Sequence, residues 1–166
     1  MLIFTTQHFI VRQFITTDSE AFYLLNSNEA VMRYIRPVKD RAACEVFLAQ
    51  QLGEYVDTPK LGRWYVGEKV TDQLIGMFSI LPMQGNIDYH IGYALLPDEW
   101  GKGYATELLQ AGVAYFFNNF DKQQLFAITQ PENVASEKVL AKVGFALKDT
   151  TKNEHETLNL FAIKRS

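Results

Sequence analysis

The stretch from Ile87 to Phe117 constrains the fold most. It contains an apolar, strand-like run that ends at Pro97, a short loop with Gly101 and Gly103, and then apolar residues at helical spacing. A glycine loop that leads into a helix presents unpaired main-chain N–H groups and the positive end of the helix dipole. The stretch therefore predicts an anion-binding cradle at the start of a helix.

The segments around this cradle predict one mixed α/β domain over residues 1–166. A strand from His8 to Phe14 precedes helices, of which the one capped by Asp40 is expected to end near Gly53. A later helix is expected to begin at a cap supplied by Asn133 and to stop at Gly144. Strand-like runs follow, and the helix after the glycine loop is the expected crossover between strands 87–96 and 125–129. We therefore expect a twisted, mostly antiparallel sheet of about seven strands, flanked by about four helices.

Composition excludes several classes of protein. The net charge of −3 gives no general attraction to nucleic acid or to an anionic membrane. No apolar run approaches the length of about 18 residues that a spanning helix needs. The N-terminus lacks the pattern of a signal peptide, and the single Cys44 cannot form an internal disulfide. We expect a cytoplasmic protein that binds neither nucleic acid nor membrane, with no metal site.

Two familiar nucleotide-binding patterns do not fit the loop. The residues from Gly101 to Tyr104 lack the Lys-Ser/Thr ending that a mononucleotide loop requires. No third glycine follows at the spacing of a dinucleotide fingerprint. The anion must therefore belong to another kind of ligand.

Two motifs in the second half of the chain carry a family resemblance. PDEWGKGYATELL, beginning at Pro97, and ENVASEKVLAKVGF, beginning at Glu132, resemble the acyl-CoA-binding core of the GCN5-related N-acetyltransferases (GNAT). In the first half, IVRQF and NEAVMRYI resemble the RimJ/RimL-like branch of that family. The resemblance covers nearly the whole chain and implies the GNAT fold, with acetyl-CoA as the cofactor.

The resemblance also implies which residues hold acetyl-CoA. The pyrophosphate would lie on the glycine loop and the helix start, and a strand that splays after Tyr93 would pair with the pantetheine amides. Asn133 and Ser136 would contact the cofactor from the second motif. Relatives usually have Gln or Arg where this chain has Trp100, so Trp100 either borders the cofactor or packs under the loop. The expected set is Tyr93, Ala94, Leu95, Leu96, Trp100, Gly101, Lys102, Gly103, Tyr104, Ala105, Thr106, Asn133 and Ser136.

Acetyl transfer needs a donor for the developing oxyanion and a proton for the departing thiolate. The resemblance implies a main-chain N–H for the oxyanion, that of Leu95 or its neighbour. Many relatives protonate the thiolate with a tyrosine, but the matching position here holds Leu140. Ser136 shares the inward stripe of that helix, so its hydroxyl is either the replacement or is bonded back to the helix.

The amine must also lose a proton before it attacks. His90 lies on the strand that approaches the thioester, where relatives often place Glu, and an imidazole can accept a proton near neutral pH. Glu29 and Tyr34 are weaker candidates for the base, and water could serve instead. An ordinary half-exposed strand histidine is the alternative interpretation of His90.

We therefore predict an acetyl-CoA-dependent N-acetyltransferase that acts on a primary amine by direct attack in a ternary complex. The alternative is a non-catalytic acyl-CoA-binding module, suggested by the missing Tyr and Glu. The acceptor is a peptide N-terminus or a small amine, and the acidic balance gives a modest preference for a cationic one. We expect a monomer or homodimer. Tyr23, Tyr34, Arg33 and Arg36 would border the acceptor, and Lys138 and Lys142 either approach the adenosine phosphates or form a solvated face.

Overall fold

A computed structural model, which describes residues 1–166, contains eight strands and five α-helices. The strands are β1 (Leu2–Thr5), β2 (Phe9–Gln13), β3 (Gly62–Glu68), β4 (Leu74–Pro82), β5 (Tyr89–Leu95), β6 (Gln124–Thr129), β7 (Ala146–Lys152) and β8 (Thr157–Lys164). The helices are α1 (Ser19–Asn26), α2 (Glu29–Met32), α3 (Arg41–Asp57), α4 (Tyr104–Asn119) and α5 (Val134–Val143). The expected fold class is confirmed, with one strand and one helix more than the sequence suggested.

The strands form a single mixed sheet in the order β1-β2-β3-β4-β5-β6-β8-β7. Every neighbouring pair is antiparallel except β5 and β6, which run parallel. Helix α4 connects these two strands and is therefore the expected crossover. No helix has both the length and the apolar character needed to cross a bilayer.

The sheet opens between β5 and β6. The two strands pair only at His90 and Phe126, although β5 continues to Leu95 and β6 to Thr129. Beyond that pair, the edge of β5 that faces β6 has no strand partner. The expected splayed strand is thus present, and its open edge faces the start of α4 and the helix α5.

Each face of the sheet carries its own core. One core surrounds the fully buried Trp64, Phe78 and Phe116 and packs α4 and α5 against the sheet. The other is built around Phe22 and Met77 and packs α1, α2 and α3 on the opposite face. Burial of these apolar side chains supplies most of the driving force for folding.

The predicted helix ends were right at three positions and wrong at one. The Asp40 side chain caps α3 through Ala43 N–H, and the Asn133 side chain caps α5. Gly144 ends α5 in the left-handed conformation, with φ 112°. Helix α3, however, does not end near Gly53 but continues to Asp57, because an exposed glycine costs a helix interior only about 1 kcal/mol.

Candidate active site

Helix α4 begins without a capping side chain. Its N-cap is Gly103, at φ 81°, and the first helical hydrogen bond runs from Glu107 N–H to the Gly103 carbonyl at 3.2 Å. The N–H groups of Tyr104, Ala105 and Thr106 precede that bond, and these three residues line a cavity. Because a glycine cap brings no oxygen of its own, this helix start is open to an external anion.

Two cavities adjoin the split between β5 and β6. The loop cavity, of about 510 Å³, is bounded by the glycine loop, the start of α4, the region of α2 and one face of α5. The sheet cavity, of about 370 Å³, is bounded by β4, β5, β6, α5 and the β7–β8 hairpin. The two cavities share Tyr34, Ile35, Tyr93, Ala94, Asn133 and Ser136. A ligand group in one cavity can therefore meet a ligand group in the other at these six residues.

The main chain of β5 offers fewer free groups than the sequence suggested. Leu96 N–H already donates to the Ile75 carbonyl at 3.0 Å, so the prediction that Leu96 pairs with the pantetheine by this group was wrong. In a strand, neighbouring residues direct their main-chain groups to opposite edges. The groups of Ala94 therefore also face β4, while those of Tyr93 and Leu95 lie on the open edge.

Trp100 ties the loop to the end of β5. Its indole N–H donates to the Leu95 carbonyl at 2.9 Å, and the side chain is 51% exposed while lining the loop cavity. This bond occupies the Leu95 carbonyl and leaves the Leu95 N–H as the free group at that residue. Lys102 is not in the lining of the loop cavity and pairs at 3.0 Å with Glu99, which is in that lining.

Ser136 lies at the junction of the two cavities, beside the phenol of Tyr93. Its hydroxyl makes no hydrogen bond to the helix main chain, which removes the alternative of a serine bonded back to α5. Burial raises the pKa of Tyr93, and the neighbouring Ser136 side chain acts in the opposite direction. Leu140, which holds the position of the family's tyrosine, is buried in the lining of the sheet cavity. The hydroxyl of Tyr93 is a site group that the sequence analysis missed, since it used only the main chain of that residue.

Hydrogen bonds hold α5 in place against the sheet. The Glu137 carboxylate accepts from the Thr129 hydroxyl at 2.9 Å and from the Asn159 amide at 2.7 Å. The Asn133 side chain accepts from Ser136 N–H at 3.3 Å while it lines both cavities. Asn133 thus combines the cap with a place in the cavity wall.

His90 faces the sheet cavity. Burial, and then the positive charge of Arg63, lower its pKa, so the imidazole stays neutral to a lower pH than an ordinary histidine. Five residues of extended strand place it about 16 Å from Leu95, so a proton would have to reach it through water. Tyr34 lines both cavities and Glu29 lines neither.

The other predicted residues divide between the cavities and the outer surface. Arg33 lines the loop cavity and Arg36 the sheet cavity, whereas Tyr23 lines neither and lies under Arg41. Lys138 and Lys142 are exposed and outside both linings.

One cationic residue of the sheet cavity, Arg63, was missed entirely. It is the second residue of β3, and no local pattern marks it as part of a site. Cys44 is buried outside both cavities, and burial raises the pKa of its thiol. No group of three or more His, Cys, Asp and Glu side chains has the arrangement of a metal site.

Comparison with protein families and relatives places this geometry in context. A family model described as an acetyltransferase (GNAT) domain matches residues 8–146. The chain is 30% identical over 141 residues to the Uncharacterized N-acetyltransferase YnaD of Bacillus subtilis strain 168, which covers 84% of this chain and 80% of the relative.

Solved structures share the whole fold. A GNAT-family acetyltransferase from Bacillus anthracis superposes with a TM-score of 0.84 at 26% identity, over 99% of this chain and 98% of its own. RimL, a ribosomal L7/L12 α-N-protein acetyltransferase in complex with coenzyme A, has a TM-score of 0.84 at 16% identity, covering 99% and 98%. Spermidine N-acetyltransferase from Vibrio cholerae, in complex with CoA and spermine, has a TM-score of 0.77 at 16% identity, covering 94% and 95%.

Proposed function

Since this chain belongs to the GNAT family of acetyltransferases, we propose that it acetylates a primary amine bound in the sheet cavity while acetyl-CoA occupies the loop cavity. The chain is an N-acetyltransferase, and acetyl-CoA is its cofactor. The observation that carries the proposal is the meeting of two cavities at Tyr93 and Ser136. Residues 1–166 would act as one catalytic domain. A cytoplasmic location stays a prediction from the sequence.

The loop cavity fits the cofactor for two structural reasons. The uncapped start of α4 offers N–H groups from Tyr104 to Thr106 to a pyrophosphate. The open edge of β5 offers the main-chain groups of Tyr93 and the N–H of Leu95 to the amides of the pantetheine arm. Trp100, Asn133 and Ser136 complete the expected contacts from the walls of the cavity.

The proposed chemistry uses groups at the junction of the cavities. When bound, acetyl-CoA supplies an acetyl group activated as a thioester. The N–H of Leu95 or of Tyr93 would donate to the oxyanion that develops during transfer. The Tyr93 and Ser136 hydroxyls stand together where a departing thiolate needs a proton, and the raised pKa of Tyr93 keeps its proton on the oxygen until then. His90 would receive the proton of the attacking amine through water.

We propose that the acceptor is a primary amine, either on a protein or on a small molecule. RimL is named for a ribosomal protein substrate, and the Vibrio cholerae relative for spermidine. Both names describe primary amines, one on a protein and one on a small molecule. We propose direct transfer to such an amine without an acetylated enzyme, because neither cavity holds an activated nucleophile such as a cysteine.

The test is an assay of thiol release over polyamines, aminoglycosides, amino acids and short peptides, with acetyl-CoA affinity measured separately by calorimetry. We expect Tyr93→Phe and Ser136→Ala each to lower kcat by about 100-fold or more, with little change in cofactor affinity. Tyr115→Phe is the matched control, because the Tyr115 hydroxyl donates to the Lys60 carbonyl at 3.1 Å outside both cavities.

Three results would overturn parts of the proposal. Equal activity of Tyr93→Phe and Tyr115→Phe would remove Tyr93 from the chemistry. A burst of acetylated enzyme without acceptor would replace direct transfer with an acyl-enzyme route. Cofactor binding without thiol release for any amine would point to the binding module instead.

A further inference from the structure

Two arginines in the sheet cavity lack a carboxylate partner. Arg36, which follows α2, and Arg63, at the start of β3, both line this cavity. Neither takes part in an ion pair, although Arg12, Arg41 and Lys102 each pair with a carboxylate. Both side chains are partly buried, and a charge that is removed from water without a partner is costly, so two such charges in one cavity suggest a missing anion.

The surroundings of both guanidiniums are well defined. They lie over the ring of Phe47, with Cζ 5.1 Å from the centroid for Arg36 and 5.0 Å for Arg63. The Nε of Arg36 is buried and has no hydrogen-bond partner, while one Nη donates to the Asn26 side chain at 3.3 Å. Burial and the charge of Arg63 lower the pKa of Arg36 to about 10, which still leaves it charged at neutral pH.

Helix α3 fixes the main chain of Arg63. Its N–H donates to the Gln51 side chain at 3.1 Å, and its carbonyl accepts from the Tyr55 hydroxyl. Burial lowers the pKa of Arg63 as well, and the negative charge of Glu54 offsets part of this effect. The guanidinium therefore stands on a rigid base rather than on a mobile loop.

Few charges in the cavity oppose the two arginines. Glu156, from the β7–β8 hairpin, is the one carboxylate in the lining. His90 lies in the same lining and is held neutral, and Lys39 adds a third cation at 5.4 Å from the Phe47 centroid. The local field is therefore positive, although the whole chain carries a net charge of −3.

We propose that the acceptor is a small primary amine that also carries a carboxylate or phosphate group, and that Arg36 and Arg63 bind this group. The inference rests on the proposed function and names the substrate class of its acceptor site. A planar guanidinium matches both oxyanions through paired N–H donors. The neutral His90 and the cavity junction at Tyr93 and Ser136 then lie on the side available to the amine.

Two properties of the site favour this class over the alternatives. A cavity of about 370 Å³ lies near the lower end of ligand pockets, which suits a molecule the size of an amino acid. A polyamine would bring further positive charge toward two uncompensated arginines, which is unfavourable. The preference for a cationic acceptor, which the overall acidic composition suggested, is therefore replaced by the opposite preference.

The kinetic test uses amines that differ only in the anionic group. β-Alanine is compared with β-alaninamide, L-alanine with L-alaninamide, and O-phosphoethanolamine with ethanolamine. Spermidine and a short peptide with an acidic N-terminal residue are tested as further substrates. We expect kcat/KM for at least one amine with an anionic group to exceed that for its partner without this group by about 10- to 100-fold. The carboxylate and phosphate arms show which oxyanion the site takes.

Variants assign the preference to the arginines. Arg63→Gln and Arg36→Gln should raise KM for the preferred anionic amine by about 10- to 100-fold. They should change KM for its partner without the anionic group by less than about threefold. Arg41→Gln is the matched control, because the Arg41 guanidinium also lies over an aromatic ring, that of Tyr23, but is outside both cavities. Equal kcat/KM for the amines with and without the anionic group, or a higher kcat/KM for spermidine or the peptide, would overturn the inference.

A binding measurement separates this inference from the proposed function. With saturating CoA and no acetyl donor, propionate or ethyl phosphate, which carry the anionic group without an ammonium group, should raise the pKa of His90, observed by NMR, because the bound anion offsets the field of Arg63. The His90 signal is assigned by its loss in His90→Gln, and the rise should disappear in Arg63→Gln. Such a rise without any turnover would count against the acetyl transfer and for the anion site. No rise with either compound would overturn the anion site.

Discussion

Gly112 lies where α4 approaches the sheet most closely, and its replacement by alanine tests how tightly this helix is held. A Cβ at position 112 would overlap the Phe78 ring and lie 3.0 Å from Ile91 Cδ1. Phe78 is fully buried and stacks on Trp64, with ring centroids 6.0 Å apart. The ring therefore has no free space into which it can move, and the helix must shift instead.

Two opposing effects determine how much Gly112→Ala changes the free energy of unfolding. Alanine gains about 1 kcal/mol over glycine in a helix interior. Overpacking of a well-filled core costs about 1–3 kcal/mol, and the immobile ring places this site at the upper end. We therefore expect Gly112→Ala to lower the free energy of unfolding by about 2 kcal/mol. In a domain of this length that corresponds to a fall in Tm of about 4–8 °C.

Gly53→Ala is the matched control, because a Cβ there meets no atom within 4 Å in the interior of α3. It should raise the free energy of unfolding by about 1 kcal/mol, so the same substitution changes stability in opposite directions at the two positions. Urea unfolding followed by far-UV circular dichroism, with m compared across variants, measures both. A Gly112→Ala protein as stable as the Gly53→Ala protein would refute the close packing of α4.

Three further predictions concern the cap, the base and the N-terminal ion pair. Asn133→Ala should cost about 1 kcal/mol by loss of the α5 cap, measured by urea unfolding, with Asn133→Asp keeping most of it. If His90 is the base, kcat/KM should rise with pH along a limb below the ordinary value of about 6.5, and Arg63→Gln should move that limb upward. A limb that persists in His90→Gln would exclude this histidine. Arg12→Gln should cost about 2 kcal/mol in urea unfolding, since it breaks two bonds to the Asp18 carboxylate at 2.7 and 3.1 Å, and a loss under 0.5 kcal/mol would contradict it.

The elements that the sequence predicted correctly are those with local causes. Asp40 and Asn133 cap helices with their own side chains, and Gly144 supplies a left-handed stop. The glycine loop before α4 likewise depends on neighbouring residues, so its position could be found from the sequence. The cofactor side of the proposed site could therefore be predicted before any tertiary contact is known.

Tertiary contacts decide the features that the sequence did not predict. Strand β1 is too short to show a period and is recognised only by its pairing with β2. Helix α3 continues past Gly53 because residues such as Tyr55 pack into the core on the far side of it. A local stop signal is weak when burial continues on both sides.

The acceptor side of the site was the least predictable part. Arg63 comes from the start of β3 and Arg36 from the segment after α2, and only the fold brings both to the ring of Phe47. Neither arginine belongs to a motif, so net charge was the available guide, and it favoured a cationic acceptor, the opposite of the anionic class proposed above. Leu96 failed for a similar reason, because its N–H is committed to a neighbouring strand that spacing alone cannot reveal.

Leu140 and Tyr93 together explain how this site can lack the family's helix tyrosine and still contain a phenol. Ser136 adjoins the Tyr93 phenol at the junction of the two cavities, while Leu140 fills its own position in α5 with buried apolar atoms. The family resemblance implies a phenol on this helix, whereas here a phenol stands on β5. The absence of a tyrosine at position 140 therefore does not leave the junction without a phenol hydroxyl, because Tyr93 supplies one from the opposite wall.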